Sequence, residues 1–170
     1  MALDFQLIFT ESDYYTGEQL TDEMVLQSTS RLGYELPNSL ISLLRVKNGG
    51  TLRSQCVPVE FENSWAPDHI EVSGLLGLGD GTWSMDSDVG SSYMIGEWGY
   101  PDIGVVFATT PAGGHVALML DYREASQRVE PCVVFVDEDR VPRKVAPTFE
   151  SFLSKLTDCK NFDERLDALR

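Results

Sequence analysis

At 170 residues, with 42% hydrophobic and 24% charged side chains, the chain has the size and composition of one soluble globular domain, long enough to bury a core of its own. Its 27 acids and 13 bases leave a net charge of −14, and the excess is local. Residues 54–122 hold 10 acids and no Lys or Arg, whereas 1–53 hold 7 acids and 4 bases and 123–170 hold 10 and 9. A base-free acidic middle cannot neutralise phosphates, which argues against nucleic acid and anionic membrane surfaces as partners, and no apolar run approaches the ~20 residues of a spanning helix.

The first twenty residues read as an irregular or weakly extended lead-in. Thr21 is placed as a helix N-cap, with Asp22 and Glu23 suited to the first-turn dipole. Met24, Val25, Ser28 and Leu32 follow at helical spacing, and Gly33 is a C-terminal stop. Leu36-Pro37 opens a second helix carrying Leu40, Leu43, Leu44 and Lys47 on one track, closed by Asn48-Gly49-Gly50. The period then changes. Residues 56–62 alternate as a short strand that Pro58 confines to an edge or an end, and 69–72 form another. Residues 74–104 are loop-rich, with a short helix predicted over 91–98 and closed by Gly99. Strands are predicted at 105–108, 116–121 and 132–137, the first two joined by a turn containing Gly113-Gly114. Phe149, Phe152, Leu153 and Leu156 define a C-terminal helix with Thr148 as N-cap but without the Glu of a capping box, and 161–170 a last helical turn or two. No repeat or linker divides the chain, so 1–170 is expected to be one domain with its core in about 22–157.

Few residues have spacings that carry chemistry. The acidic loop 80–90 invites a Ca²⁺ reading but lacks the EF-hand order. His69 and His115 have no zinc-ligand spacing, no GxSxG nucleophile elbow occurs, and the glycines of 74–81 are not followed by the Lys-Ser/Thr of a phosphate loop. No cofactor is expected. Cys56, Cys132 and Cys159, odd in number and widely spaced, read as reduced thiols. With an N-terminus lacking the basic start of a signal peptide, this gives a cytoplasmic expectation. The aromatics are more informative. Trp65, Trp83, Tyr93, Trp98 and Tyr100 all fall in the acidic stretch, where Trp and Tyr among acids suit a hot-spot surface for a basic partner. Core filling is the alternative for each.

The order of these signals resembles the SUKH superfamily of cell-wall-synthesis regulators and bacterial immunity proteins. The resemblance is carried by Leu32-Gly33 through Leu36-Pro37 to Asn48-Gly49-Gly50, by Gly104 to Ala108 with Gly113-Gly114 and Leu118 to Asp121, by Val133 to Asp139, and by Ala146 to Leu153. Glu138 stands where the family often has His, and 54–104 matches least. The resemblance implies an α+β fold, with helices packed against a curved, mostly antiparallel β-sheet. It also implies a non-catalytic role, often that of an immunity protein that binds a cognate toxin, frequently a nuclease.

The resulting expectation is a protein-binding domain that neutralises a basic toxin. Its partner-binding residues are Glu60, Glu62, Asp68, Glu71, Asp80, Asp86, Asp88, Glu97 and Asp102, with Trp65, Trp83 and Trp98 as anchors. A regulatory or scaffold module with an endogenous protein partner is the alternative, and a small acid- or Ca²⁺-dependent hydrolase a further one. The oligomeric state is not assigned.

Overall fold

The computed structural model describes residues 3–163. Among these described residues four α-helices, α1 (Asp22–Leu32), α2 (Asn38–Val46), α3 (Ser91–Trp98) and α4 (Phe149–Lys155), accompany nine strands. These are β1 (Gly50–Thr51), β2 (Cys56–Pro58), β3 (His69–Glu71), β4 (Gly74–Leu75), β5 (Gly104–Val106), β6 (Ala108–Thr109), β7 (Ala117–Asp121), β8 (Cys132–Val136) and β9 (Pro142–Ala146). Every named pairing is antiparallel, in three sheets ordered β1-β4-β6, β2-β3 and β5-β7-β8-β9. The α+β expectation holds, with the sheet divided into three.

The helices begin and end where local chemistry dictates. Thr21 accepts a hydrogen bond from the Met24 N–H, and Gly33 and Gly99 close α1 and α3 in the left-handed conformation. Thr148 does head a capping box: Ser151 takes the place of the usual Glu, since its short hydroxyl also reaches back to the Thr148 N–H. At the end of α2 the sequence reading needs two corrections. Lys47 is already extended and donates to the Thr10 and Ser12 carbonyls, at 3.0 and 2.7 Å, and only Gly49 takes a positive φ. A Cβ on Gly49 would lie 2.7 Å from the Tyr15 carbonyl oxygen, so both the angle and the space require glycine. The buried Asn48 acts through its side chain, donating to the Glu18 and Leu78 carbonyls and accepting from the Leu78 N–H. These bonds, with a Phe9–Leu52 bridge, bind the lead-in to the body of the domain.

Strands β5, β7 and β8 of the four-stranded sheet are buried on both faces, which is why they read as continuous apolar runs. Val105, Leu118, Leu120, Val133 and Phe135 face the main core with α2 and α4. There Phe107 meets Phe149 and Phe152 edge-on, at 5.6 and 5.4 Å between ring centroids. Val106, Ala117, Met119, Val134 and Val136 face the other way, under Tyr100 and the Met94 and Ile95 of α3. Strand β9, not anticipated from sequence, closes one side of this sheet, with a bulge opposite Val133 and Val134.

The cysteine reading is also corrected. Backbone bonds in both directions between Cys56 and Thr157 draw the segment after α4 onto β2. Cys159 thereby comes to 5.0 Å from Cys56, Cα to Cα, and the two form a disulfide. Cys132 alone stays free. Lys160 starts a helical turn, and the rest of the predicted 161–170 segment beyond residue 163 lies outside the described residues.

Candidate partner-binding face

The β6–β7 connection, residues 110–116, is the centre around which the exposed aromatics gather. It is fixed from below. The Tyr100 hydroxyl donates to the carbonyls of Gly114 and Val116, and Arg140 Nη1 donates to the His115 carbonyl at 2.8 Å while its guanidinium carbon sits 4.5 Å above the Tyr100 ring. Burial pushes the Tyr100 hydroxyl above its ordinary pKa, so it stays a neutral donor.

All three tryptophans are on the surface, at 58% (Trp65), 40% (Trp83) and 39% (Trp98) exposure, so core filling does not account for them. Each is held by a structured backbone. The Trp65 loop is an Asx turn in which Asn63 Oδ1 accepts from the N–H groups of Trp65 and Ala66. It is tied to the end of β8, because the Ser64 N–H and hydroxyl both donate to Asp137, at 2.7 and 2.5 Å. Burial pushes the Asp137 carboxyl up, but the bonds from Ser64 and the Glu138 N–H outweigh it and hold the group below the ordinary carboxylate value. Trp83 leans edge-on against Tyr15, 4.9 Å between centroids, with Tyr14 beside it at 5.8 Å. Trp98, the last residue of α3, covers Gly114, where a Cβ would lie 3.0 Å from the indole.

Trp65 and Glu71 line a small hollow with Thr110, Pro111 and Val116. Trp83 and Trp98 line a larger cleft of about 290 Å³ with Tyr15 and Tyr100, above a floor of Val106, Ala108 and Ala117. Thr110 and Val116 belong to both, so the two depressions adjoin across the 110–116 connection. The hydroxyl oxygen of Thr110 is buried and has no hydrogen-bond partner among the described residues.

The predicted acids do not all join this face. Glu60, Glu62, Glu71, Asp80, Asp88, Glu97 and Asp102 are exposed. Glu71 adjoins Trp65, and Glu97 precedes Trp98 on α3. Asp102 lines a different cleft with Leu32, Tyr34 and Ser92. Asp80 pairs with Arg31 at 2.9 Å, beside the hollow formed with α1. Asp86 faces inward with its side chain shielded from solvent, accepting from the Ser28 hydroxyl and the Gly79 N–H and 3.4 Å from Arg31. Its bonds are internal, so it leaves the set of surface contacts. Asp68 is half-buried, 2.9 Å from His69 Nδ1. No group of three or more His, Cys, Asp and Glu gathers as a metal site among the described residues. Cys132 is partly buried, and burial followed by the nearby Asp121 pushes its thiol up, the opposite of an activated nucleophile.

Sequence reading missed Tyr14 and Tyr15, which sit in the lead-in far from Trp83 in sequence, and Thr110. Only the adjacency of two tyrosines beside Gly17 hinted at them. Among the described residues, no helix is long and apolar enough to cross a membrane. The family model described as SMI1 / KNR4 family (SUKH-1) matches residues 19–155, from the entry to α1 to the end of α4. No curated protein and no solved structure matches the chain.

Proposed function

The chain belongs to the SMI1 / KNR4 family (SUKH-1), and we propose that within it this protein is a non-catalytic binding domain that acts as an immunity protein, neutralising a cognate basic toxin of the nuclease type. The observation that carries the reading is the exposure of Trp65, Trp83 and Trp98 around one braced connection, in the segment with 10 acids and no base. Exposed indoles on an ordered backbone are costly to leave in water and lose little entropy on docking, which is the character of an interface hot spot. The surrounding carboxylates favour a basic partner, and a nuclease is commonly basic because it must approach phosphate.

The test is reconstitution. The chain is purified with each protein encoded by the genes flanking its own and scored for a stable complex and for loss of the partner's toxicity. A complex that suppresses toxicity, weakened about 30-fold by Trp65→Ala or Trp83→Ala, is the expected result. A complex with a harmless partner would replace immunity by the regulatory or scaffold reading. Unchanged binding in both variants would remove the aromatic face from either. A cytoplasmic location goes with this reading, and the Cys56–Cys159 bond bears against it, because disulfides are rare in reducing compartments. The thiol state of protein taken from native cells decides the point.

A further inference from the structure

The cleft between Trp83 and Trp98 has a chemistry distinct from the acidic side chains of the segment that supplies most of it. Its rim carries the indoles of Trp83 and Trp98 and the ring of Tyr15, the buried Tyr100 ring lies beneath beside an aliphatic floor, and no charged side chain lines it. An electron-rich aromatic wall inside a strongly negative segment attracts cations with an apolar stem. The two basic side chains differ here. A lysine ammonium is strongly hydrated and would enter with no carboxylate in the lining to replace its water, whereas a guanidinium is weakly hydrated, flat, and stacks on aromatic faces. The molecule already uses this contact once, since Arg140 lies over the Tyr100 ring at 4.5 Å. A volume of about 290 Å³ is ample for one side chain.

We infer that this cleft is an arginine socket: it receives one arginine side chain of the partner, stacked between Trp83 and Trp98, and so prefers arginine to lysine. The inference rests on the binding-domain reading for its biological partner, but not for its test, which uses peptides alone.

The probe is the blocked tripeptide Ac-Gly-Arg-Gly-NH₂, titrated into the full chain at physiological salt while the three indole N–H resonances are followed by NMR and assigned with Trp→Phe variants. The expected result is a saturable shift of the Trp83 and Trp98 signals with Trp65 unmoved, and binding about tenfold weaker for the citrulline peptide, which keeps the shape and loses the charge. The lysine peptide is expected several-fold weaker than the arginine one. Trp83→Leu abolishes the response and Trp83→Phe retains part of it. Equal binding of the citrulline or a leucine peptide, a lysine peptide as tight as the arginine one, or no response to any peptide overturns the socket. A failed toxin reconstitution with an intact peptide response would overturn only the immunity reading.

Discussion

Breaking the Cys56–Cys159 bond should cost a large part of the stability of the fold. The two residues are 103 apart in sequence, and closing a loop of about 100 residues removes unfolded-state entropy equivalent to about 4.7 kcal/mol at room temperature in the chain-entropy model. Denatured chains are already somewhat compact, so a loss of about 3–5 kcal/mol is expected on reduction. The native fold offers little local compensation but also little local damage. The backbone bonds between Cys56 and Thr157 remain, β2 still pairs with β3, and the Phe162 ring still stacks on His69 at 4.1 Å. Cys159→Ser should therefore keep the native spectrum while its melting temperature falls by roughly 6–20 °C, at the 2–4 °C per kcal/mol usual for a chain of this size. Guanidinium titration of wild type with and without reductant, beside Cys159→Ser and the control Cys132→Ser, separates the effects. Oxidised wild type and Cys132→Ser should share one midpoint, and reduced wild type should join Cys159→Ser at a lower one. Identical midpoints for all four, or three free thiols in the denatured, unreduced protein, would refute the reasoning.

Asp137 links acid stability to the aromatic face. Its folded pKa lies below the ordinary 3.8, so the unfolded chain takes up this proton first. Its contribution is complete above 3.8 and is lost as pH falls through the depressed folded value; tryptophan fluorescence should report the Trp65 loop loosening in that range. Asp137→Ala should show the loosened loop already at neutral pH and cost about 1.5–3 kcal/mol in denaturant titration. Phe107→Ala should cost about 3–5 kcal/mol by the same measurement, because the ring is fully buried and its removal leaves a cavity against the faces of Phe149 and Phe152. In stopped-flow mixing with the partner, the association rate should fall about tenfold or more from low to physiological salt; a salt-independent rate would remove electrostatic steering while leaving the aromatic contacts in place.

Elements with self-contained chemical signals were legible. Thr21, Gly33, Gly99 and Thr148 mark helix ends because caps act over three or four residues, and the apolar runs of β5, β7 and β8 mark a buried sheet. The features that escaped are those made by distant residues. Strand β9 reads Pro-Arg-Lys-Val-Ala, with no alternation to betray it. The strands of the β1-β4-β6 sheet have two residues each, too few for a period. Nothing in a 103-residue interval announces a disulfide, and the pull on Cys159 comes from a two-residue bridge at Thr157. At the candidate face the tryptophans could be chosen by residue type, but their exposure depends on what covers them. Asp80, Asp86 and Asp88 look alike in sequence, yet Asp86 turns inward because Ser28 and Gly79 offer it donors.

The outer strand β9 also governs how copies of this chain behave at high concentration. Among the described residues no further strand lies beside it, and an open strand edge is a template for pairing with another molecule. Here the template is spoiled along its length. Pro142 has no N–H to offer, Lys144 puts positive charge on the strand, Arg143 is held by Asp139 at 2.6 Å, the bulge breaks the register at Val145, and the Lys155 ammonium occupies the Val145 carbonyl at 2.6 Å. A second copy meeting this edge finds interrupted hydrogen bonding and like charge. Sheet-to-sheet polymerisation through this edge is therefore disfavoured, and the chain can accumulate without forming fibres by this route.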